Sequence, residues 1–303
     1  MRATYEAQLK LLLRTLPEVF LDSTFCLKGG TAINLFLQDF PRLSVDIDLT
    51  YRSSSEDRMT SFNTIHSSLR NISKKLTRAG FKVQANKALD GVSEAKLIAQ
   101  DQNGKIKIEP NFLLRGTIFE PEFKRICPKI RDQYEFDYKI LCSSSEDIYG
   151  GKMVASLDRQ HPRDLFDMFV FFENNKLTEK TMDAFVYYLL SSNRPVHELL
   201  DPNFMDIKAS FKSTFDGMQN RNVTIGDLES TREELVKKIR KKMNDNLKKL
   251  IITVLELQPQ FELYKASDLS VFPSIRWKIH NLEKMDKKKR EKDIEKTKKI
   301  LEA

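Results

Sequence analysis

The sequence Gly-Gly-Thr at residues 29–31, followed after 14 residues by Asp-Ile-Asp-Leu at residues 46–49, decides the fold of this chain. Successive side chains of a strand point to opposite faces, so Asp46 and Asp48 share one face while the interleaved apolar residues pack into a core. Two carboxylates held this close together need a cation between them. A hard dication with oxygen ligands fits best, namely Mg²⁺ carrying nucleotide phosphates, with Mn²⁺ as an alternative.

The residues around the two glycines predict a cradle for phosphate groups. Phe-Cys-Leu at 25–27 is typical of a short buried strand, and a helix is predicted over residues 31–38. A helix that opens directly after two glycines presents free backbone N–H groups and a positive dipole end to an anion. Glycine also permits close backbone approach, and the Thr31 hydroxyl can either cap the helix or bind a phosphate oxygen. We therefore predict that Gly29, Gly30 and Thr31 hold a triphosphate.

A third acidic residue is expected on a neighbouring strand. In the segment 105–109, isoleucines alternate with charged residues, which predicts a half-buried strand that ends at Pro110. Two-metal phosphoryl transfer uses such a trio to hold one ion on the leaving triphosphate and another at the attacking hydroxyl. Asp46, Asp48 and Glu109 are therefore the predicted metal ligands. A solvent-facing Glu109 among lysines is the alternative.

Further motifs follow in order along the chain. Arg-x-Ser-x-Asp-x-Asp-Leu occupies residues 42–49, and Lys-x-x-Ala at 152–155 precedes Arg-Asp-x-x-Asp at 163–167. Together with the glycine motif, this order resembles the nucleotidyltransferase superfamily with a DNA polymerase β type palm, and specifically the AbiEii-like toxin family. The resemblance spans residues 25–170. It departs from the wider superfamily in the third acid, which is Glu109 rather than the more usual Asp.

The resemblance implies an α+β fold, in which a polymerase β-like nucleotidyltransferase palm precedes an α-helical C-terminal domain. The palm would hold a mixed, mostly antiparallel sheet flanked by helices. We expect a nucleotidyltransferase domain over residues 1–142 and a helical domain over residues 143–303 that completes the active site and carries basic helices. By resemblance, Lys152 and Arg163 bind nucleotide phosphates, and Asp164 joins Lys152 in the catalytic set.

The residues themselves also allow other interpretations of the second motif. Lys152, Arg159 and Arg163 follow one another at a spacing that would give a positive ridge, although Pro162 should break the helix. Asp167 lies one turn after Asp164. An ordinary ion pair between helices is the alternative for Arg163 and Asp167.

Periodicity and turn signals predict a mixed first half and a helical second half. The predicted helices and strands of the first half are a helix over 5–16 that Pro17 closes, a helix over 57–79, and strands over 81–85, 93–99, 105–109 and 138–141, with turns at 90–91 and 103–104. In the second half, Thr231 and Glu234 predict a capping box. A buried stripe follows at steps of four, at Leu235, Ile239, Met243 and Leu247.

Length and composition indicate a globular protein that works inside the cell. A chain of 303 residues normally folds as about two domains. It has no long apolar stretch and its start lacks the apolar core of a signal peptide, so we expect a cytoplasmic protein without a membrane partner. The three cysteines, Cys26, Cys127 and Cys142, are odd in number and lack metal-ligand spacing, which predicts buried reduced thiols.

The net charge of +8 and the pI near 9.2 favour a polyanionic partner. Basic residues cluster at 237–242, 248–249 and 287–290, and a face formed by them could hold an RNA acceptor. For residues 281–303, which mix basic and acidic side chains, a solvated terminal helix is the alternative.

The resemblance implies a metal-dependent nucleotidyltransferase, the toxin of a bacterial toxin–antitoxin or phage-defence system. Such a toxin would transfer a nucleoside monophosphate from an NTP to the 3′ end of tRNA and block translation, and an antitoxin would be its partner. The same palm also modifies small molecules, as in antibiotic nucleotidyltransferases, and protein hydroxyls by AMP transfer. A non-catalytic nucleotide-binding or protein-binding module is a third alternative, against which the three acids argue.

Overall fold

The computed structural model of the chain describes residues 3–21, 23–87, 94–102 and 104–302. The chain divides into two compact units, Met1–Ser144 with Gly217–Asn222 and Ser145–Asp216 with Val223–Ala303. Among the described residues, no helix combines the length and the apolar character needed to cross a membrane. The turn predicted at 90–91, residue 93 and Asn103 lie outside the described residues.

The first unit contains both helices and strands. In chain order they are α1 (Ala3–Val19), β1 (Phe25–Lys28), α2 (Gly29–Ala32), β2 (Asp46–Tyr51), α3 (Arg58–Arg78), β3 (Lys82–Lys87), β4 (Glu94–Asp101), β5 (Gly104–Asn111), β6 (Glu122–Arg125), α4 (Pro128–Tyr134) and β7 (Lys139–Cys142). The helix predicted over 57–79 is α3, and Asp57 is its N-cap. The sequence pattern does not indicate β6, whose residues are mostly exposed and lack apolar alternation.

The described strands form one mixed sheet in the order β3-β4-β5-β2-β1-β7-β6. Four neighbouring pairs are antiparallel, whereas β2 with β5 and β1 with β7 run parallel. Parallel neighbours need a long crossover, and α3, β3 and β4 lie in the connection from β2 to β5. This confirms the predicted α+β class with a mostly antiparallel sheet flanked by helices, and it places residues of β2 and β5 side by side.

The sheet has one buried face and one partly exposed face. Ile47 and Leu49 of β2 and Ile106 and Ile108 of β5 are fully buried, and α1 and α3 pack against β5 and β4. Each large apolar side chain buried in this way contributes about 1.5–3 kcal/mol to stability. Because a slip of one residue would expose all of them, this face fixes the register of the strands and turns their polar side chains to the other face.

The prediction that Pro17 ends the opening helix is wrong, because α1 continues to Val19 with Pro17 inside it. A proline at this position removes the hydrogen bond to the carbonyl oxygen of Leu13, four residues earlier. The hydroxyl of Tyr138 donates to that oxygen at 3.1 Å. The acceptor therefore has a partner, and the helix tolerates the proline.

Replacing Tyr138 with Phe is expected to destabilise the first unit by about 1–2 kcal/mol, because the carbonyl oxygen of Leu13 would lose its donor. Urea unfolding followed by circular dichroism measures the change. Tyr134→Phe on α4 is the control, since its hydroxyl makes no hydrogen bond to a described residue. Equal losses in the two variants would contradict the role given to Tyr138.

The prediction that Pro110 ends its strand is also wrong, since β5 continues to Asn111. Pro110 lies beside Leu49 in the pairing with β2, whereas the pairs with β4 stop at Ile108. A proline lacks only its N–H group, so a strand accepts it where that group has no partner in the ladder.

The three cysteines are buried and form no disulfide, as predicted. Burial raises the pKa of the Cys127 thiol to about 11 and raises the pKa of Cys142 as well. Both thiols therefore stay protonated at neutral pH and behave as small apolar side chains.

The described part of the second unit consists of α-helices, loops and two short 3₁₀ turns. The helices are α5 (Ser145–Asp158), α6 (Pro162–Asn174), α7 (Glu179–Leu190), α8 (Val196–Leu200), α9 (Lys208–Thr214), α10 (Ile225–Lys242), α11 (Asp245–Leu255), α12 (Pro273–Lys284) and α13 (Lys287–Glu302). The break predicted before Pro162 is confirmed. The terminal helix predicted over 281–303 is shorter and begins at Lys287.

Gly150 allows α5 and α7 to approach closely. A Cβ atom at this position would lie 2.7 Å from the backbone carbon of Ala184 on α7, a distance that packed atoms do not tolerate. Residues two apart on a helix point in directions roughly 200° apart. The contact at Gly150 therefore turns Lys152 away from α7, to the side of α5 that packs on α6.

Helix α10 begins earlier than predicted. The capping box predicted at Thr231 and Glu234 is wrong, because Thr231 lies inside α10 and its hydroxyl donates to the carbonyl oxygen of Asp227 at 2.7 Å. Thr224 and Asp227 form the capping box instead. Asp227 stands where the usual capping-box pattern has Glu or Gln, so this segment does not match that pattern.

The apolar stripe predicted at steps of four is buried at each position, at Leu235, Ile239, Met243 and Leu247. It does not belong to one helix, however, since α10 ends at Lys242 and Asn244 caps α11. The apolar residues keep a spacing of four across the short turn between the two helices, so the spacing does not indicate where α10 ends.

Candidate active site

Four charged side chains lie together on the partly exposed face of the sheet in the first unit. In the parallel pairing of β2 with β5, Asp46 lies beside Lys107 and Asp48 lies beside Glu109. Residues paired in this way share a face of the sheet. The structure therefore places the three predicted metal ligands, Asp46, Asp48 and Glu109, on neighbouring positions of one face. It also places among them Lys107, which belongs to none of the predicted motifs.

Lys107 forms an ion pair with Glu109, with 2.8 Å between Nζ and Oε2. The hydrogen bond to Glu109 raises the pKa of Lys107 above its ordinary value, and the charges of Asp46 and Asp48 raise it as well. Partial burial lowers this pKa but offsets only part of the rise. Among the described residues, no three His, Cys, Asp or Glu side chains converge as a group that could hold a metal ion. In this structure the cation bound to the Glu109 carboxylate is Lys107.

The turn after β1 brings the glycine backbone against the second aspartate. Gly29 begins α2 with a φ of +71°, in the left-handed region that favours glycine. A Cβ atom on Gly29 would lie 2.2 Å from Oδ2 of Asp48, so the carboxylate of Asp48 rests on this backbone. The helix predicted over 31–38 begins two residues earlier and continues as the π-helical turn Ile33–Leu37.

Gly30 is covered in the same way by two side chains of the preceding loop. A Cβ atom on Gly30 would lie 2.8 Å from Oγ of Ser44 and 2.9 Å from Nη2 of Arg42. Arg42 is buried, and its Nη1 donates to the carbonyl oxygen of Leu43 at 2.8 Å. Arg42 and Ser44 thus pack on the glycine turn. The sequence pattern alone does not indicate this structural role.

The segment 217–222 braces the loop that carries these side chains. The amide of Leu43 donates to the carbonyl oxygen of Met218 at 2.9 Å, and Arg42 pairs with Gln219 in an isolated bridge. Asn220 donates from its side chain to the carbonyl oxygen of Phe40 at 2.9 Å. A late segment of the chain therefore supports the loop before β2.

The Thr31 hydroxyl does not cap α2, because Thr31 lies inside that helix, and in this structure it bonds within the protein. Thr31 is fully buried, and its hydroxyl donates to the carbonyl oxygen of Asp46 and to Oγ of Ser44 at 3.1 Å. These bonds tie the glycine turn to the start of β2. Any contact that Thr31 makes to a phosphate would therefore come from its backbone N–H group.

Replacing Gly29 with Ala is expected to lower nucleotide transfer at least about tenfold, because the new Cβ would displace the Asp48 carboxylate and misplacement by an ångström costs that much or more. Gly80→Ala is the matched control, since Gly80 also has a positive φ of +89° but, apart from its chain neighbours, no described residue has an atom within 4 Å of the added Cβ. Both variants should lose about 1–2 kcal/mol of stability from backbone strain. Transfer assays and thermal unfolding separate the two effects, and equal activity in both variants would contradict the contact with Asp48.

In the second unit, the predicted residue Lys152 is enclosed by two carboxylates of α6. Lys152 is 6% exposed, and its Nζ lies 2.7 Å from Oδ1 of Asp164 and 3.0 Å from Oδ2 of Asp167. The positive ridge expected along Lys152, Arg159 and Arg163 is therefore not formed. Buried charges need such partners, because desolvation of an unpaired ion is very costly.

The arginine that pairs with Asp164, in addition to Lys152, is Arg159 and not the sequence neighbour Arg163. Arg159 donates to both carboxylate oxygens of Asp164, at 2.5 and 3.0 Å. Although burial opposes ionisation, Lys152 and Arg159 hold the pKa of Asp164 far below its usual range. Consecutive residues on a helix do not face each other, which is why the adjacent Arg163 cannot make this pair. Arg163 is partly exposed.

His161 ends the connection between α5 and α6. Its Nδ1 accepts from the amide of Arg163 at 3.1 Å, and its Nε2 lies 3.0 Å from Oγ1 of Thr214. Both ring nitrogens are thus used in capping α6 and in holding α9, so His161 has a structural role.

A basic groove of about 370 Å³ lies within the second unit, between α8, α10, the start of α11 and the end of α13. The cationic side chains that line it are Lys237, Arg240, Lys241 and Lys248. Of these, Arg240 forms an ion pair with Asp201. The groove thus contains most of the basic residues predicted at 237–242 and 248–249.

Comparison with known proteins connects this geometry to a family. The family model described as the nucleotidyl transferase AbiEii toxin of a type IV toxin–antitoxin system matches residues 10–280. The fold resembles that of MenT4, a nucleotidyltransferase toxin from Mycobacterium tuberculosis H37Rv, with a TM-score of 0.62 over 93% of this chain and 95% of that chain, at 14% sequence identity. No curated protein matches the chain in sequence. The family match covers most of the chain, and the structural likeness extends the fold over nearly all of it.

Proposed function

Because the chain belongs to the AbiEii family of nucleotidyltransferase toxins of type IV toxin–antitoxin systems, we propose that it transfers a nucleoside monophosphate from an NTP to the 3′ end of tRNA and so blocks translation. In this reaction the acceptor hydroxyl attacks the α-phosphorus, and pyrophosphate leaves. An antitoxin is the partner that the family implies. We further propose that the toxin acts in the cytoplasm, where tRNA is found, and that it serves in phage defence.

The observation that carries the proposal is the position of Asp48. Its carboxylate rests on the backbone of Gly29 at the start of α2, and Asp46 shares its face of β2. Backbone N–H groups at residues 29–31 suit the oxygens of a triphosphate, and the carboxylates beside them suit a cation shared with that triphosphate.

Asp46 and Asp48 would hold the divalent ion, Mg²⁺ with Mn²⁺ as an alternative. Their oxygens are the hard ligands that these ions prefer, and the shared face of β2 fits this use. When bound, the ion neutralises charge on the triphosphate. Glu109 either completes this ligand set or accepts the proton of the acceptor hydroxyl.

Three residues of the second unit, Lys152, Arg163 and Asp164, belong to the site predicted from the sequence motifs. By family resemblance Arg163 binds phosphate, and its exposure suits that role. Lys152 and Asp164 belong to the same predicted set, and the buried network between them favours a function in fixing α6. The roles of all three residues in the reaction, like the division into domains 1–142 and 143–303, remain predictions.

Charge favours a nucleic acid as the acceptor. The groove beside α10 offers lysines and an arginine to a phosphate backbone. A small-molecule substrate would not need such a surface. We expect that replacing Lys237 and Lys241 with Gln raises the KM for tRNA and leaves the KM for NTP unchanged.

Incubation of the purified protein with Mg²⁺, each α-³²P-labelled NTP and total bacterial tRNA tests the proposal. Label should enter tRNA with the wild-type chain and not with the Asp46→Ala, Asp48→Ala variant, and the labelled NTP that works identifies the preferred base. Label on protein, or transfer only after a small hydroxylated compound is added, would keep the chemistry and reject tRNA. The absence of transfer to any acceptor would reject the function.

A further inference from the structure

The geometry points to Lys107 as a built-in cation of the acidic face, which holds Glu109 and thereby weakens the binding of divalent metal ions. The inference deepens the proposed function and rests on it, because it assumes a metal ion at Asp46 and Asp48. It concerns a lysine that the motifs do not include. Its consequence is that Glu109 becomes a metal ligand only when Lys107 releases it.

The position of Lys107 follows from the pairing of two strands. Lys107 lies beside Asp46 in the register of β2 and β5, and it shares a face with Glu109, two residues further along β5. Its Nζ is 2.8 Å from Oε2 of Glu109. The ammonium group thus stands on the face where carboxylates would otherwise repel each other.

The ammonium group of Lys107 stands among three carboxylates. It bonds to Glu109 and lies beside Asp46, with Asp48 on the same face of the sheet. A divalent cation that enters this face meets a like charge and must compete for the oxygens of Glu109. The lysine therefore lowers the affinity for metal in two ways, by repulsion and by holding a ligand.

The pair is also able to open. The side chains of Lys107 and Glu109 are 39% and 40% exposed, and exposed ion pairs hold only loosely. A long, flexible lysine side chain can move into solvent once a stronger cation takes its partner. The arrangement suits a contact that is exchanged when metal and nucleotide arrive together.

Lys105 provides a matched control on the same strand. It shares the face of Lys107 but lies one step away from the acids, beside Gln100 of β4. Lys105 is exposed. Removing its charge changes the net charge of the protein by the same amount without touching the pair.

The test measures the affinity of the 303-residue chain for Mn²⁺ in the absence of nucleotide. Electron paramagnetic resonance detects the Mn²⁺ that remains free in each titration. Lys107→Met is expected to bind Mn²⁺ roughly fivefold more tightly than the wild type, the size of effect expected for an exposed ion pair. Lys105→Met should match the wild type. Adding Glu109→Gln to Lys107→Met should remove the part of the gain that comes from the released Glu109 carboxylate and leave the part that comes from relief of repulsion.

The outcomes separate this inference from the proposed function. If Lys107→Met binds Mn²⁺ no more tightly than the wild type does, the role of Lys107 is overturned and the metal site is unaffected. Mn²⁺ binding that survives Asp46→Asn, Asp48→Asn would overturn the metal site and the inference with it. Lys107→Gln, a second variant without charge, should show the same gain, and circular dichroism establishes that each variant is folded.

Discussion

Replacing Asp48 with Asn is expected to lower nucleotide transfer about a thousandfold, the upper end of the range for removing one group that stabilises transition-state charge. Asparagine has nearly the size and shape of aspartate, so it keeps the contact with the Gly29 backbone and removes only the charge. Stability should therefore change by less than about 1 kcal/mol. Initial rates with labelled NTP and the temperature of unfolding measure the two effects.

Glu122→Gln is the matched control for the loss of a carboxylate from the sheet. Glu122 lies on β6, where it is exposed and pairs with Lys124, so its replacement should leave transfer unchanged. Transfer by Asp48→Asn within about tenfold of the wild type, far less than such groups supply, would show that Asp48 does not take part in the reaction.

Replacing Lys152 with Met is expected to destabilise the second unit by about 3–5 kcal/mol, the range for removing one partner of a buried ion pair. The change leaves Asp164 and Asp167 buried without the ammonium group that both contact. Methionine fills a similar volume, so the loss reports charge more than packing. Urea unfolding at pH 7 measures it, and Lys152→Met should also lose activity.

The dependence on pH separates charge from packing in this variant. In the wild type, the depressed pKa of Asp164 gives stability that is present above the unfolded pKa of about 3.9 and is lost as the pH falls further. In Lys152→Met, Asp164 keeps Arg159 but loses the ammonium group of Lys152, so its pKa is lowered less than in the wild type. This variant should therefore lose less stability than the wild type as the pH falls below about 3.9.

Lys238→Met is the control for the loss of a lysine from a helix. Lys238 pairs with Glu234 on the surface of α10, and such a pair contributes only about 0.3–0.5 kcal/mol. If Lys152→Met cost no more than Lys238→Met, the two carboxylates of α6 would not depend on Lys152.

Local sequence patterns were sufficient to predict those parts of the first unit whose structure depends on neighbouring residues. The alternation in β2 and the glycines before α2 are visible in a few consecutive residues, and the structure places Asp46 and Asp48 on one face as expected. The parallel register of β2 and β5 joins residues far apart in sequence, and no local signal reports it. The position of Lys107 beside Asp46 cannot be predicted from local sequence, since only that register places it there.

In the second unit, tertiary contacts overrode the sequence spacing. Lys152, Arg159 and Arg163 suggested a positive ridge, but the packing of α5 on α6 buries Lys152 against carboxylates. One signal was available: Asp164 and Asp167 lie one turn apart, on the buried face of a largely apolar helix. Two acids on a buried face require a cation from a neighbouring element, which here is Lys152.

The return of Gly217–Asn222 to the first unit affects the order in which the protein is made and folds. During synthesis the N-terminal part of a chain generally folds first, yet here the loop that supports Arg42 acquires its hydrogen bonds to Met218 and Asn220 only after the helices α5–α9 have been translated. A fragment cut after Ser144 would lack that support. Most of the chain is therefore synthesised before the loop next to the acidic face can form its hydrogen bonds to residues 217–222.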